Sequence, residues 1–161
     1  MKSLFLIKIA NSRIITFIME YILRDATPED REWVDALTEK TMGTYIRASW
    51  QTEEKYQHYL RLNSFNLEST KIIIADGKRA GRLSISRKEQ VLHLDNLHLE
   101  TDFHGRGIGS RVIIDTIETA CSEGRVLELK CLKTNPVQSL YTRLGFSLIK
   151  EDEKRLYYRI K

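Results

Sequence analysis

Two cysteines, Cys121 and Cys131, are all that 161 residues contain. That scarcity excludes a disulfide framework and suits a reducing, cytoplasmic compartment. No cysteine–histidine cluster shows metal-ligand spacing, so no metal is expected. Long apolar runs are missing as well: near the N-terminus Leu4–Ile7 and Ile14–Ile15 are apolar, but Lys8 and Arg13 interrupt them and no membrane span fits. The Gly-Lys-Ser/Thr tripeptide of the P-loop does not occur. Gly105-x-Gly107-x-Gly109 is followed by Ser110, not by the third glycine of the dinucleotide fingerprint. With no repeats, linkers or low-complexity tracts, one domain remains, of a size that buries roughly 68–70% of its unfolded surface.

What is present is 42% hydrophobic and 30% charged, the balance of a globular protein. The net charge of +4 is unevenly placed: no acid precedes Glu20, whereas Lys2, Lys8 and Arg13 lie in that stretch. The remainder carries 23 basic against 22 acidic residues, which argues against a nucleic-acid partner for the domain. Residues 1–19 read as an N-terminal extension, disordered or a misassigned start, and residues 20–161 as the domain. A surface-binding helix or an export signal is the weaker reading of the extension, because Ala10-Asn11-Ser12 is a poor cleavage site.

Strand and helix signals alternate along the domain. Tyr21–Arg24 opens as a strand, and Thr27-Pro28-Glu29-Asp30 starts a helix with an N-cap, proline at N1 and acids in the first turn. That helix sends Trp33, Val34, Leu37 and Met42 to a core. Thr52-Glu53-Glu54 starts a second, with Tyr56, Tyr59, Leu60 and Leu62 along it. Strands follow at Lys71–Ala75, Arg79–Arg87 and Val91–Leu99, the first two joined by an Asp76-Gly77 hairpin turn. Simple alternation puts Val91, His93, Asp95, Leu97 and Leu99 on one face of the third. Val112, Ile113, Ile117, Ala120 and Cys121 mark a buried helix face ended by Gly124. Val126–Leu132 is a strand, Asn135–Leu144 a short helix stopped by Gly145, and Phe146–Ile149 with Leu156–Ile160 a closing hairpin.

Chemistry concentrates in Phe103-His104-Gly105-Arg106-Gly107-Ile108-Gly109-Ser110-Arg111, between a strand and an apolar helix. Glycines let backbone approach a ligand closely, and the helix start points free N–H groups and its positive dipole end the same way. Such a turn suits a phosphate or diphosphate. About 30 residues on comes Asn135-Pro136-Val137-Gln138-Ser139-Leu140-Tyr141-Thr142-Arg143-Leu144-Gly145-Phe146.

These two motifs resemble those of the GNAT superfamily of acetyl-CoA-dependent N-acetyltransferases. The family pattern Gln/Arg-x-x-Gly-x-Gly/Ala maps onto His104-Gly105-Arg106-Gly107-Ile108-Gly109, with His104 where Gln or Arg is usual. The Asn…Leu-Tyr-x-x-x-Gly-Phe motif maps onto Asn135, Leu140, Tyr141, Gly145 and Phe146. From Asn135 to Tyr141 is six residues, one fewer than in ribosomal-protein acetyltransferases.

The resemblance covers about Glu20 to Lys161. It implies an α/β (α+β) GNAT fold, with a mixed, mostly antiparallel sheet of six to seven strands flanked by about four helices. It also implies an acyltransferase with acetyl-CoA as co-substrate and a primary amine, on a small molecule or a protein, as acceptor. Cofactor contacts would come from Leu97, His98 and Leu99, from His104, Gly105, Arg106, Gly107, Ile108, Gly109 and Ser110, and from Asn135. An N–H near Leu99 would polarise the thioester, Arg106 or Arg111 would add charge at the diphosphate, and Tyr141 would protonate the departing sulfur.

His98, Glu100 or Asp102 are candidates for the base, and Lys130 stands where some relatives carry a glutamate. Tyr45, Trp50, Glu53 and Glu54 are candidates to greet a cationic acceptor, although packing and helix-terminus roles fit Trp50 and the two acids better. Cys131 fits a filler better than an acyl carrier. The alternatives are a toxin-like acetyltransferase of aminoacyl-tRNA and a non-catalytic acetyl-CoA-binding module. A monomer or homodimer is expected.

Overall fold

A computed structural model describes residues 20–161; the extension, residues 1–19, lies outside the described residues. Seven strands form one sheet: β1 (Ile22–Asp25), β2 (Thr70–Ala75), β3 (Lys78–Lys88), β4 (Val91–Leu99), β5 (Val126–Leu132), β6 (Ser147–Glu151) and β7 (Arg155–Ile160). Their order is β1-β2-β3-β4-β5-β7-β6, and every neighbouring pair is antiparallel except β4 with β5. Four helices flank it: α1 (Arg31–Ser49), α2 (Glu53–Leu62), α3 (Ile108–Ser122) and α4 (Gln138–Arg143).

Local chemistry sets the elements. Thr27 caps a single 3-10 turn that runs into α1, and the Asp30 carboxylate accepts from the Thr27 N–H at 2.9 Å, closing a capping box. Asp76 and Gly77 both have positive φ, 53° and 69°, as a tight hairpin turn between right-twisted strands requires. Gly124 and Gly145 take positive φ where α3 and α4 end. The fourth helix is shorter than Asn135–Leu144 predicts, since Asn135 spends its side chain on a turn: its Oδ1 accepts from the Val137 N–H at 3.1 Å.

Two apolar layers result. On one side of the sheet Ile108, Val112, Ile113 and Ala120 of α3, with Tyr141 of α4, pack on Leu83, Leu92, Leu94 and Leu129. On the other, α1 and α2 bury Val34 against Ile72 and Phe65, and Ile46 against Tyr56 and Leu132. One expectation fails here: Cys121 is exposed at the end of α3, where the helix runs past the sheet.

A further correction concerns β4. Asn96 pairs with Ser84 but Leu94 pairs with Ile85, so Asp95 is an extra residue opposite a continuous β3. This β-bulge shifts the alternation by one. Leu92 and Leu94 therefore share the α3 side with Leu97 and Leu99, not with Asn96 and His98. A single face for Val91, His93, Asp95, Leu97 and Leu99 does not exist.

Candidate functional site

The parallel pairing of β4 with β5 runs only from Val91–Val126 to Leu94–Leu129. Beyond it the strands part, and the edge of β4 from Asp95 to Leu99 that faces β5 has no strand partner among the described residues. The bulge at Asp95 sits where the parting begins, as bulges that bend a strand do. A cavity of about 70 Å³ fills the split, lined among others by Leu97, His98, Cys131, Asn135, Tyr141 and Arg155. Side chains from both faces of the sheet meet there, Tyr141 from the α4 side and Tyr59 from α2. A second cavity, about 220 Å³, adjoins it and shares Asn63, Asp95, Asn96 and Lys130.

Tyr141 is 9% exposed, held by aromatic contacts to Phe146 and Tyr158 with ring centroids 5.9 and 5.7 Å away. Burial, and then the neighbouring Cys131 and Tyr158, push its phenol well above the usual range, so it stays protonated at any ordinary pH. Burial also lifts the Cys131 thiol to about 11, which removes it as a ready thiolate.

The candidate bases fare differently. His98 is buried, and Arg82 donates from Nε to its Nδ1 at 3.2 Å. A guanidinium N–H can only donate, so the His98 proton sits on Nε2. Burial first, then the Arg82 charge, hold the imidazole down at about 3. His98 is thus a neutral donor, not a base. Glu100 accepts from Trp33 Nε1 at 3.1 Å and from Lys40 Nζ at 2.8 Å, tied to α1. Neither Glu100 nor Asp102 lines either cavity. The carboxylate that does is Asp95, the bulge residue, which the sequence reading passed over. Tyr45, Trp50, Glu53 and Glu54 line neither cavity: Trp50 stacks on Tyr59, and Glu53 accepts from Gln57. Lys130 lines both.

The glycine turn lies at the far end of β4. His104 Nε2 donates to the Leu99 carbonyl at 2.8 Å and fastens the turn to the strand end. Gly105 and Gly107 have φ of 70° and 80°, while Gly109 is already helical. Gly107 caps α3 with no side-chain hydrogen bond and no acid in the first turn, leaving the N–H groups of Ile108, Gly109 and Ser110 free of intrahelical partners. Arg111 is engaged with Asp115 at 2.8 Å; Arg106 lies over the Phe103 ring. Free N–H donors at a helix start, with no competing carboxylate, fit a diphosphate.

Residues 24–156 match the model of the acetyltransferase (GNAT) domain. The chain belongs to the GNAT acetyltransferase family. It is an acyltransferase with acetyl-CoA as co-substrate. No curated protein sequence matches it. Among solved structures it is similar to the PaiA N-acetyltransferase of Thermoplasma acidophilum in complex with coenzyme A: 18% identity, TM-score 0.71, covering 89% of this chain and 99% of that one. An acetyltransferase from Thermus thermophilus follows at 18% identity and TM-score 0.66, covering 89% and 97%. A GNAT-family acetyltransferase from Listeria monocytogenes gives 17% and 0.63, covering 88% and 95%. At such identities the likeness speaks for the fold, a seven-stranded mixed sheet with four helices. Among the described residues no helix is long and apolar enough to cross a membrane.

Proposed function

We propose that this GNAT protein transfers the acetyl group to a primary amine that meets acetyl-CoA in the split between β4 and β5. The observation that carries the reading is the juxtaposition of an unpaired β4 edge with a buried, protonated Tyr141 in one cavity. Acetyl-CoA, when bound, supplies the thioester acyl group. The turn from Gly105 to Ser110 holds the diphosphate through backbone N–H groups, with Arg106 adding charge and His104 bracing the turn on Leu99. The free edge of β4 at Leu97, His98 and Leu99 offers main-chain bonds to the pantetheine arm and an N–H to the carbonyl oxygen. Asn135 orients the loop ahead of α4. The amine nitrogen bonds to the carbonyl carbon as the C–S bond breaks. Tyr141 gives its proton to the departing sulfur, and Asp95, directly or through water, takes the proton the amine loses.

Tyr141→Phe tests this. Positioned acid–base help is worth about 10²–10⁴-fold, so kcat for CoA release should fall by that order. Acetyl-CoA should still stabilise the variant, by roughly 2.7 kcal/mol at about 100 times its Kd. An unchanged kcat at saturating acetyl-CoA would remove Tyr141 from the mechanism. No thermal shift of the parent protein with acetyl-CoA would overturn the site itself.

A further inference from the structure

Resting on that reading, we infer that the acceptor is an aminocarboxylate: a small amine with an anionic group, a carboxylate or its equivalent, a few bonds from the reacting nitrogen. The wall of the acceptor side carries more hydrogen-bond donors and positive charge than the protein itself satisfies.

Arg82 is the first sign. It is wholly buried, at 0% exposure, in the middle of β3, and it forms no ion pair among the described residues, feeling the charge of Asp35 on α1 only at a distance. Its Nε is spent on His98, and its Nη2 donates to the Asn63 carbonyl at 3.4 Å. Nη1 has no hydrogen-bond partner among the described residues. Both groups it touches line the first cavity, so the guanidinium stands directly behind the cavity wall. A buried cation with an orphaned donor is costly and is ordinarily compensated by an anion. Burial draws Arg82 down to about 10, which still leaves it charged at neutral pH.

His98 carries the same polarity forward. With Nδ1 occupied by Arg82, its Nε2 proton is one more donor on a residue that lines the cavity. The lining charges agree: Lys130 borders both cavities and Arg155 the first, against one carboxylate, Asp95. Arg155 is shared with Asp152 at 3.8 Å and with the Trp50 ring; Lys130 is exposed and has no ion-pair partner among the described residues. The second cavity is bordered by hydroxyls and amides, Ser64, Ser69, Ser84, Asn66 and Asn96. Its 220 Å³ falls below the roughly 300–1,000 Å³ of drug-sized sites and suits a small polar molecule.

One carboxylate beside several donors matches a ligand with one ammonium and one anion. Asp95 meets the amine end, while Lys130 and the His98 Nε2 proton, backed by the Arg82 charge behind the wall, meet the anionic end. A diamine of the same length would leave the donors unpaired and bring a second cation against Lys130. The acids Glu53 and Glu54, which would have favoured such a cation, lie outside both cavities.

Matched pairs test the inference on the full chain: glycine with methylamine, β-alanine with ethylamine, lysine with 1,5-diaminopentane. Two readouts are taken, thermal stabilisation of the CoA-bound protein and thiol release from acetyl-CoA. An aminocarboxylate should stabilise the protein where its partner does not, and exceed it in kcat/KM by about tenfold or more, because buried donors left unpaired reject the analogue. Lys130→Glu, an exposed change that spares folding, should cut that ratio by about tenfold or more, through KM rather than kcat. Plain amines matching or beating their carboxylated partners in both readouts would overturn the inference and leave acetyl transfer standing. Stabilisation by aminocarboxylates without thiol release from any amine would overturn acetyl transfer and leave the anion site standing. Silence in both readouts would overturn both.

Discussion

Gly81 belongs to neither motif, yet the neighbouring strand leaves no room for a side chain there. A Cβ there would lie 2.2 Å from the His98 carbonyl oxygen and 2.7 Å from the Leu99 side chain. Backbone cannot yield as a flexible side chain can, so Gly81→Ala should force β3 and β4 apart where β4 enters the split. The expected cost is about 1–3 kcal/mol, read as a fall of several degrees in Tm, with a loss of acetyl transfer beyond what Tm alone explains. Nothing in the local sequence singles out Gly81, because its constraint comes from a residue 17 positions away. Arg82 left a fainter trace: a charge amid Ala80, Leu83 and Ile85 in a strand otherwise fit for burial. Its meaning depends on the pairing of Arg82 with His98 across β3 and β4, which only the register reveals. The proton on His98 Nε2, and with it the loss of His98 as a base, was out of reach for the same reason.

At the level of elements, what local chemistry controls was legible. Bounds of Val91–Leu99 and Val126–Leu132 are those expected, and the Thr27 and Thr52 helix starts fall in place. The bulge at Asp95 was not legible, since one extra residue in a strand has no signature of its own until its partner is known. The glycine turn divides in an instructive way. Gly107, at φ 80°, lies in the left-handed region where a side chain costs about 1–2 kcal/mol. Gly109 is helical, and a Cβ there would sit 3.5 Å from Leu99, an ordinary contact. Gly107→Ala should therefore lower Tm by a few degrees. Gly109→Ala should raise it, by helix propensity worth up to about 1 kcal/mol. Thermal melts of the two variants side by side check the contrast; equal losses would mean that both positions are set by strain.

On the scale of the molecule, two buried groups make stability fall in acid. His98, neutral in the fold down to about 3, takes a proton in the unfolded chain near 6.5. The unfolded state thus binds more protons between those values, and stability drops as pH falls from about 6.5 toward 3. Asp30 is held well below the usual carboxylate range by the Arg24 guanidinium at 2.8 Å, with help from the Thr27 N–H and Arg79. Its contribution is present above the unfolded value near 3.9 and fades as pH falls through and below it. Melting curves from pH 7.5 to 4 should show Tm beginning to drop below about 6.5. His98→Gln, which can still accept from Arg82, should flatten that upper limb. An unchanged slope would mean that other groups govern it.

Only four residue pairs, Val91–Leu94 with Val126–Leu129, join β1–β4 to β5–β7 in one sheet. Across the split the sheet is stitched by its helices rather than by strand hydrogen bonds, for α1 and α3 each pack on both β4 and β5.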